Sequence, residues 1–555
     1  MQAEFPQRPS LIQLLTSYNS AAVRWPGALR AALAIIFPGT FALLLGHDDA
    51  LLILSAGAFT VIYGEGHPLR TRVRVMALAS AAITGANITG FLVGTVAFAP
   101  GHGHWWLLLP GFYTLFLATV GTFLQNALHL PPPGSFFIVM VGGGSTMLAR
   151  TDITLDYVAL WTVVGCSMSL LIGMLVSPRG PETDAVNALE KATQGFLAAD
   201  TLARHHRAQT ALARAWQTLA DAGIVRGGRV IQESGRDLVE RTLRAQLGIV
   251  RHNQALATTQ DSAGLTDNPT DVDPDRTVIP HTRPTARYRI YRAATAHSHA
   301  TVAAEKVFLA AAATVVIGLA LGFNRPDWGA VSALLVLQWG PEHIPGTVRG
   351  IQRMVGSALG VALFSAFHFF GVHGWTLMLA LAVCQFFAEI FVVKNYALCV
   401  IFSTPLALLM GNSATAPLGA TLGSRLGEIV VSVSCSLAVL WWWKRNARAR
   451  DHGRLQRRCV EAMSTLLGLL LHSTPAAELA ARRDLHYELL AERRAISSMA
   501  VDQPEAARNF WQRHITIQQA GYHVLDFCST HPDVQPTDAQ LRELASHIRT
   551  AAYEE

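Results

Sequence analysis

Charge is scarce in this chain: Asp, Glu, Lys and Arg supply 15% of its 555 residues. An ordinary soluble domain carries about 25%, so a soluble enzyme is not the class to which this composition belongs. Cysteine is sparse as well. Of six, Cys166, Cys384, Cys399 and Cys435 fall in apolar runs, and Cys459 and Cys528 in a polar segment. They are expected to be small apolar fillers and not a disulfide framework, and no zinc spacing occurs among them. A basic region leading into a short apolar core and a small-residue cleavage site is missing from the N-terminus, where Pro6, Pro9 and Pro26 precede the first apolar run. No cleaved signal peptide is expected.

Catalytic motifs are missing too. There is no Gly-x-Ser-x-Gly nucleophile and no clustered nucleophile and base. The glycines at 142–144 follow no strand and precede no Lys-Ser/Thr pair, so they form no phosphate loop. Energy from ATP would require another chain. His205 with His206, and His297 with His299, lack acidic or Cys companions at ligand spacing. The expectation is therefore no enzyme activity, no cofactor and no metal. Nucleic acid is not an expected partner either, because the net charge of +6 is carried almost wholly by Arg residues flanking apolar segments among acidic neighbours.

What is abundant is apolar sequence, 51% of the chain. It crowds into two blocks, 28–176 and 303–443, while charge collects in 177–302 and after 444. A bilayer-crossing helix needs about 20 apolar residues, fewer if it is broken or shielded. The first block offers runs at 28–45, 50–64, 74–98, 105–126, 134–149 and 155–176, and the second at 303–323, 328–339, 354–372, 374–393, 395–411 and 425–443. The fold class expected is an all-α membrane protein: two repeated six-span blocks, each followed by a cytoplasmic helical region. Segment 1–27 precedes the first block, with Leu11, Ile12, Leu14, Leu15 and Tyr18 making a short interfacial amphipathic stretch.

Region 177–302 has helical apolar spacing (Leu189, Phe196, Leu197; Leu212, Trp216, Leu219) and, at 258–287, an Asp-, Thr- and Pro-rich linker. Region 444–555 repeats the helical pattern. Basic residues near span ends resist translocation. Arg8, Arg24, Arg30, the cluster Arg70, Arg72 and Arg74, and Arg349, Arg353 and Lys394 then lie inside, with Arg150 and Arg325 as exceptions. Both termini are expected in the cytoplasm.

Each block opens with an Ala-rich run ending in glycine (Gly46; Gly322), then an acidic outer turn (Asp48, Asp49; Asp327), a short run, and two Arg four residues apart. Halves of like topology around a central pathway suit a transporter. Residues 319–363 and 386–411 resemble the FUSC-like family of bacterial inner-membrane proteins, which includes fusaric acid resistance and aromatic acid exporter proteins and has plant malate-activated channels as distant relatives. The residues carrying the resemblance are Trp328, Gln338, Arg349, Arg353, Gly356, Gly360, Asn395, Tyr396, Thr404 and Pro405. The first block departs from the pattern, with PPPGSFFIVMVGGG at 131–144 where NYALCVIFSTP stands later. The resemblance implies export of organic, in particular aromatic, acids, with a periplasmic adaptor protein as a partner. A passive anion channel, and a scaffold whose cytoplasmic helices bind partners, are the alternatives. An oligomer is compatible with any of these.

Candidate substrate-binding or translocation residues follow from spacing and from the resemblance. Arg70 with Arg74, and Arg349 with Arg353, share helix faces where the third and ninth runs begin, and could form a cationic vestibule; the competing reading is topogenic charge in contact with lipid phosphate. The runs at 50–64 and 328–339 are short, and those at 134–149 and 395–411 carry glycines or Pro405. Paired short spans mark binding sites in transporters, although close helix packing could equally require the glycines. Glu389 lies inside an apolar run and could couple transport to protons, or simply pair with Lys394 or an inner arginine. Asn395 and Tyr396 enter through the resemblance. Glu428, three residues after Arg425, reads as its structural ion-pair partner, and Glu65 as a solvated span end.

Overall fold

Backbone groups in a bilayer have no water to bond, so a chain with these apolar runs satisfies them within helices. The computed structural model describes residues 5–19, 24–175, 180–257, 283–410 and 418–553, and among these it is almost wholly helical. The first part comprises α1 (Leu11–Thr16), α2 (Trp25–Leu44), α3 (Ala50–Ala58), α4 (Thr60–Tyr63), α5 (Leu69–Ala97), α6 (Leu108–Ala127), α7 (Phe136–Leu148) and α8 (Leu155–Gly173). A polar trio follows, α9 (Pro181–Leu197), α10 (Leu202–Ala222) and α11 (Arg236–Ala257). Next come α12 (Ala286–Ala293), α13 (His299–Ala320), α14 (Pro326–Leu337), α15 (His343–Phe369), α16 (Gly374–Phe391), α17 (Tyr396–Met410) and α18 (Leu418–Trp442). The chain closes with α19 (Ala447–Leu470), α20 (Leu479–Asp502), α21 (Pro504–Thr530) and α22 (Asp538–Tyr553).

Among the described residues eight helices are long and apolar enough to cross a membrane: α2, α5, α6 with its leading turn, α8, α13, α15, α16 and α18. Four apolar stretches are shorter, namely α3 with α4, α7, α14 and α17. Leu78, Phe116, Leu160, Leu171 and Leu379 stand exposed on the outer faces of the long helices. In water such a surface would be an aggregation hazard; facing lipid it costs nothing. This is a multi-pass membrane protein.

Two helices begin earlier than their apolar runs. The hydropathy pattern starts at 74 and 354, whereas α5 starts at Leu69 and α15 at His343. Hydropathy marks the part of a helix that lipid can hold, not its polar first turns. At α15 those turns are anchored from outside the block: Asp502, at the end of α20, accepts from the Ile344 backbone N–H (2.7 Å) and from His343 Nδ1 (2.8 Å), with Arg448 as its counter-charge. Arg353 is consequently not at a helix N-terminus, as the sequence suggested, but almost three turns into α15. The expected linker also shortens, since α12 takes up its last residues; 258–282 and residue 411 lie outside the described residues.

Close packing of α5 on α7, and of α15 on α17, rests on paired glycines four residues apart. A Cβ placed on Gly94 would sit 2.0 Å from the Thr146 carbonyl oxygen, and one on Gly360 2.7 Å from that of Ile401. Small residues let backbones approach where apolar burial alone does not drive association. Gly94→Ala is therefore expected to destabilise the detergent-solubilised protein by about 1–3 kcal/mol. Gly85→Ala, on the same helix with nothing within 4 Å, should not. Equal thermal unfolding of the two variants would refute this account.

Helix α2 packs on α16, and α6 on α13; α3 lies on α8, and α14 on α18. Gly46 and Gly322, following α2 and α13, both take the left-handed conformation (φ +75° and +83°) that only glycine adopts cheaply. The polar helices form two bundles. In the first, Leu189, Phe196, Leu212, Trp216 and Leu219 are core, as their spacing predicts, while Leu197 is exposed. The second is built on Met463, Leu466, Leu485, Leu489, Ile517 and Leu525, with Cys459 and Cys528 as buried fillers. Asn253 of the first bundle donates to Asp526 of the second (3.0 Å).

Candidate functional site

The four short stretches meet around one cavity of about 80 Å³, to which Ile53 on α3, Ser145 on α7, Asp327 on α14 and Thr404 on α17 all contribute. A span too short to cross alone survives only when neighbours shield it from lipid, which is why these helices lie in the interior. Every residue of α14 is buried. Pro405 lies within α17, beside Thr404 and Ala407 of the cavity wall, and being proline it offers the helix no N–H at that point.

The charged wall comes from the second block. Arg325 donates through Nε (3.0 Å) and Nη2 (2.9 Å) to the two oxygens of Asp327, a bidentate pair just ahead of α14 and in its first turn. The Trp328 indole carries two guanidiniums, Arg325 at 4.1 Å and Arg425 at 4.6 Å from the ring centroid. Arg353 donates from Nε to Ser332 Oγ (3.3 Å). Arg425 is 3% exposed, and its Nε and Nη1 have no hydrogen-bond partner.

Glu428 does not supply one. Both of its carboxylate oxygens are buried without a donor, and it lines a separate small pocket behind Arg325. The expected Arg425–Glu428 ion pair is therefore not formed as a contact. Three guanidiniums face two carboxylates here, and only Arg325 is matched by a fork. Guanidinium does not deprotonate in proteins, so the two buried nitrogens of Arg425 that lack an acceptor are where an anion could bind.

Of the residues singled out from sequence, Arg353 reaches this cavity and Pro405 shapes its wall. The Tyr396 hydroxyl is buried beside Arg353 and Arg349. Arg349 lies over the Trp339 ring at 5.9 Å. Arg70 and Arg74 are exposed on α5, with Arg70 against Gly223 of the first polar bundle. Between them Arg72 is the buried one, donating to the carbonyls of His67 and Gly173 (both 3.2 Å).

Glu389 accepts from Arg24 Nε (3.1 Å) and Nη2 (2.9 Å), a pairing with an arginine and not with Lys394. Asn395 caps α17 through Oδ1 and holds the N-terminal segment by donating to the Ser17 carbonyl (3.0 Å). Both therefore tie the segment ahead of α2 to the second block. Glu65 is not simply solvated: Arg30 Nη2 donates to both its oxygens at 2.7 Å.

Sequence reasoning passed over Arg325, Asp327 and Arg425 as site residues, yet a signal existed. Arg325 was an exception to the inside-positive rule, and Arg425 begins a run on the same expected outer side. An arginine that topology does not require is there for another reason.

Residues 311–439 match the family model described as fusaric acid resistance protein-like, a stretch running from α13 through most of α18 and holding all of these arginines. Over 95% of its length the chain is 23% identical to an uncharacterized membrane protein, YvaC of Bacillus subtilis (strain 168), covering 89% of that protein. No solved structure matches.

Proposed function

From a second membrane block that carries a fusaric acid resistance protein-like domain, we propose that this protein is a bacterial inner-membrane efflux transporter of organic acids, aromatic ones foremost. The observation that carries the reading is Arg425, buried, held against Trp328 and lacking an acceptor at Nε and Nη1. A carboxylate supplies the acceptor, and a flat ring suits a cavity that also holds Phe136 and Trp328. Arg353, across the cavity on α15, gives a second donor.

In this reading the two blocks are repeats of six membrane-associated helices related by an axis along the membrane normal. Reciprocal packing supports it: α2 on α16 mirrors α13 on α6, and α5 on α7 mirrors α15 on α17. The binding site then falls where the paired short helices meet. Both polar bundles and both termini lie in the cytoplasm, and a periplasmic adaptor receives the substrate.

The deciding experiment compares organic acids retained by cells with and without the protein, and then dissipates the proton gradient. Uphill export that stops when the gradient collapses is the expected result; downhill flux that persists would make the protein a channel. Indifference of every acid to deletion would leave a scaffold. Orientation has its own readout: a Cys replacing exposed Ser234 should be silent to an impermeant thiol reagent in intact cells, and labelling would overturn the topology.

A further inference from the structure

The second polar bundle holds a group of side chains for which the transport reading has no use. Glu543 and His547, four residues apart, share one face of α22, and His523 approaches them from α21. Their ligand atoms all lie within 4.8 Å of one another, and the two imidazoles are 4.5 Å apart between centroids. Among the described residues no hydrogen bond or ion pair ties any of these three side chains to the rest of the protein. All three line a cavity of about 750 Å³ between the two bundles, with Asn253, Asp526 and Gln540.

We infer that His523, Glu543 and His547 form a binding site for a divalent transition metal of the zinc class. Two imidazoles and one carboxylate suit that class, whereas magnesium and calcium demand oxygen donors. The platform is rigid, because α21 and α22 are held by Ile517, Val524, Leu541, Leu544 and Ile548 in the bundle core. Three protein ligands leave a fourth position open toward the cavity, for water or for a small anionic ligand. Closing the donors onto one ion asks only for side-chain rotation, since Glu543 and His547 are exposed and His523 is half-buried.

The test uses the full chain in detergent, without a histidine tag and stripped by a chelator, titrated with Zn²⁺ against a chromophoric chelator. One equivalent is expected to bind, and magnesium should not compete. His523→Ala and His547→Ala should each weaken binding more than about tenfold, since even outer-shell changes at metal sites cost about 10–100-fold. His472→Ala, at an exposed histidine outside the trio, should leave it unchanged. A His547→Cys variant restores a ligand and should bind Zn²⁺ while gaining preference for Cd²⁺, a swap that mere destabilisation cannot produce. Unchanged stoichiometry and affinity in the His523→Ala, His547→Ala double variant would overturn the site. So would the absence of a stoichiometric equivalent in the parent. Neither result depends on export, so failure here and failure of the transport reading are distinguishable.

Discussion

Replacing Arg425 by Gln is expected to abolish concentrative export at any substrate level the cell tolerates, with protein abundance preserved. The argument starts from the cavity wall. Arg325 is already matched by the fork of Asp327, and Arg353 holds the Ser332 hydroxyl, so Arg425 is the guanidinium whose Nε and Nη1 await an acceptor. A carboxylate taken up there forms a charge-assisted bond to a buried guanidinium. Removing one partner of a buried charge pair costs about 2–5 kcal/mol. At 1.4 kcal/mol per decade that is a loss of roughly 30-fold to several thousandfold in affinity.

Folding should tolerate the change, since the variant buries a neutral amide in place of a guanidinium that lacks acceptors at Nε and Nη1. Arg425→Lys separates charge from geometry: an ammonium keeps the field but loses the planar fork and the stacking on Trp328, so partial export at raised substrate concentration is expected. Arg353→Gln should give an intermediate loss and exposed Arg74→Gln almost none. Wild-type concentration dependence in the Arg425→Gln variant would remove the cavity from the transport pathway.

A second large effect is expected far from that cavity. Glu492, on α20, is wholly buried and accepts from His452 Nε2 (2.8 Å), His514 Nδ1 (2.7 Å) and Gln518 Nε2 (2.8 Å). Burial by itself raises a carboxyl's pKa, but the charge of His514 and the hydrogen bonds from both histidines outweigh it and hold Glu492 at about 2. Glu492→Ala leaves those donors facing one another in the core, and breaking such a pair costs about 3–5 kcal/mol. Amide exchange across α20 and α21 should accelerate accordingly, while α9 to α11 remain protected. Exchange that is no faster would show that the trio contributes nothing net.

Acid should imitate the mutation. Because the folded pKa lies below the unfolded one, near 4.5, this stabilisation is complete above that value and is lost as pH falls from there toward 2. The window corresponds to about 3 kcal/mol at 1.36 kcal/mol per pH unit. Glu492→Gln, which keeps an acceptor but no charge, should flatten the acid dependence while costing less than Ala.

Much of the architecture was legible in the chain itself. Each apolar run became helical, because in lipid the backbone has no other way to satisfy its own groups, and the runs too short to cross alone were drawn inward around the cavity. Core positions of the first polar bundle, such as Trp216 and Leu219, followed from the 3.6-residue period. The resemblance in the second block pointed to Trp328 and Arg353, which the cavity indeed contains.

Partnership was another matter. Whether Arg425 meets Glu428 depends on side-chain direction, and spacing along a helix cannot settle which of two near neighbours fills a bond. Glu389 is matched by Arg24, 365 residues away, and the group of His523 with Glu543 and His547 exists only because α21 and α22 lie side by side. Hydropathy and period act along the chain, within a few residues of each position, and so the sequence by itself determined where the apolar and the polar helices form. Charge, ligand geometry and cavities arise between segments distant in sequence, and for these only the tertiary packing decided which residues would face one another and which would be left unmatched.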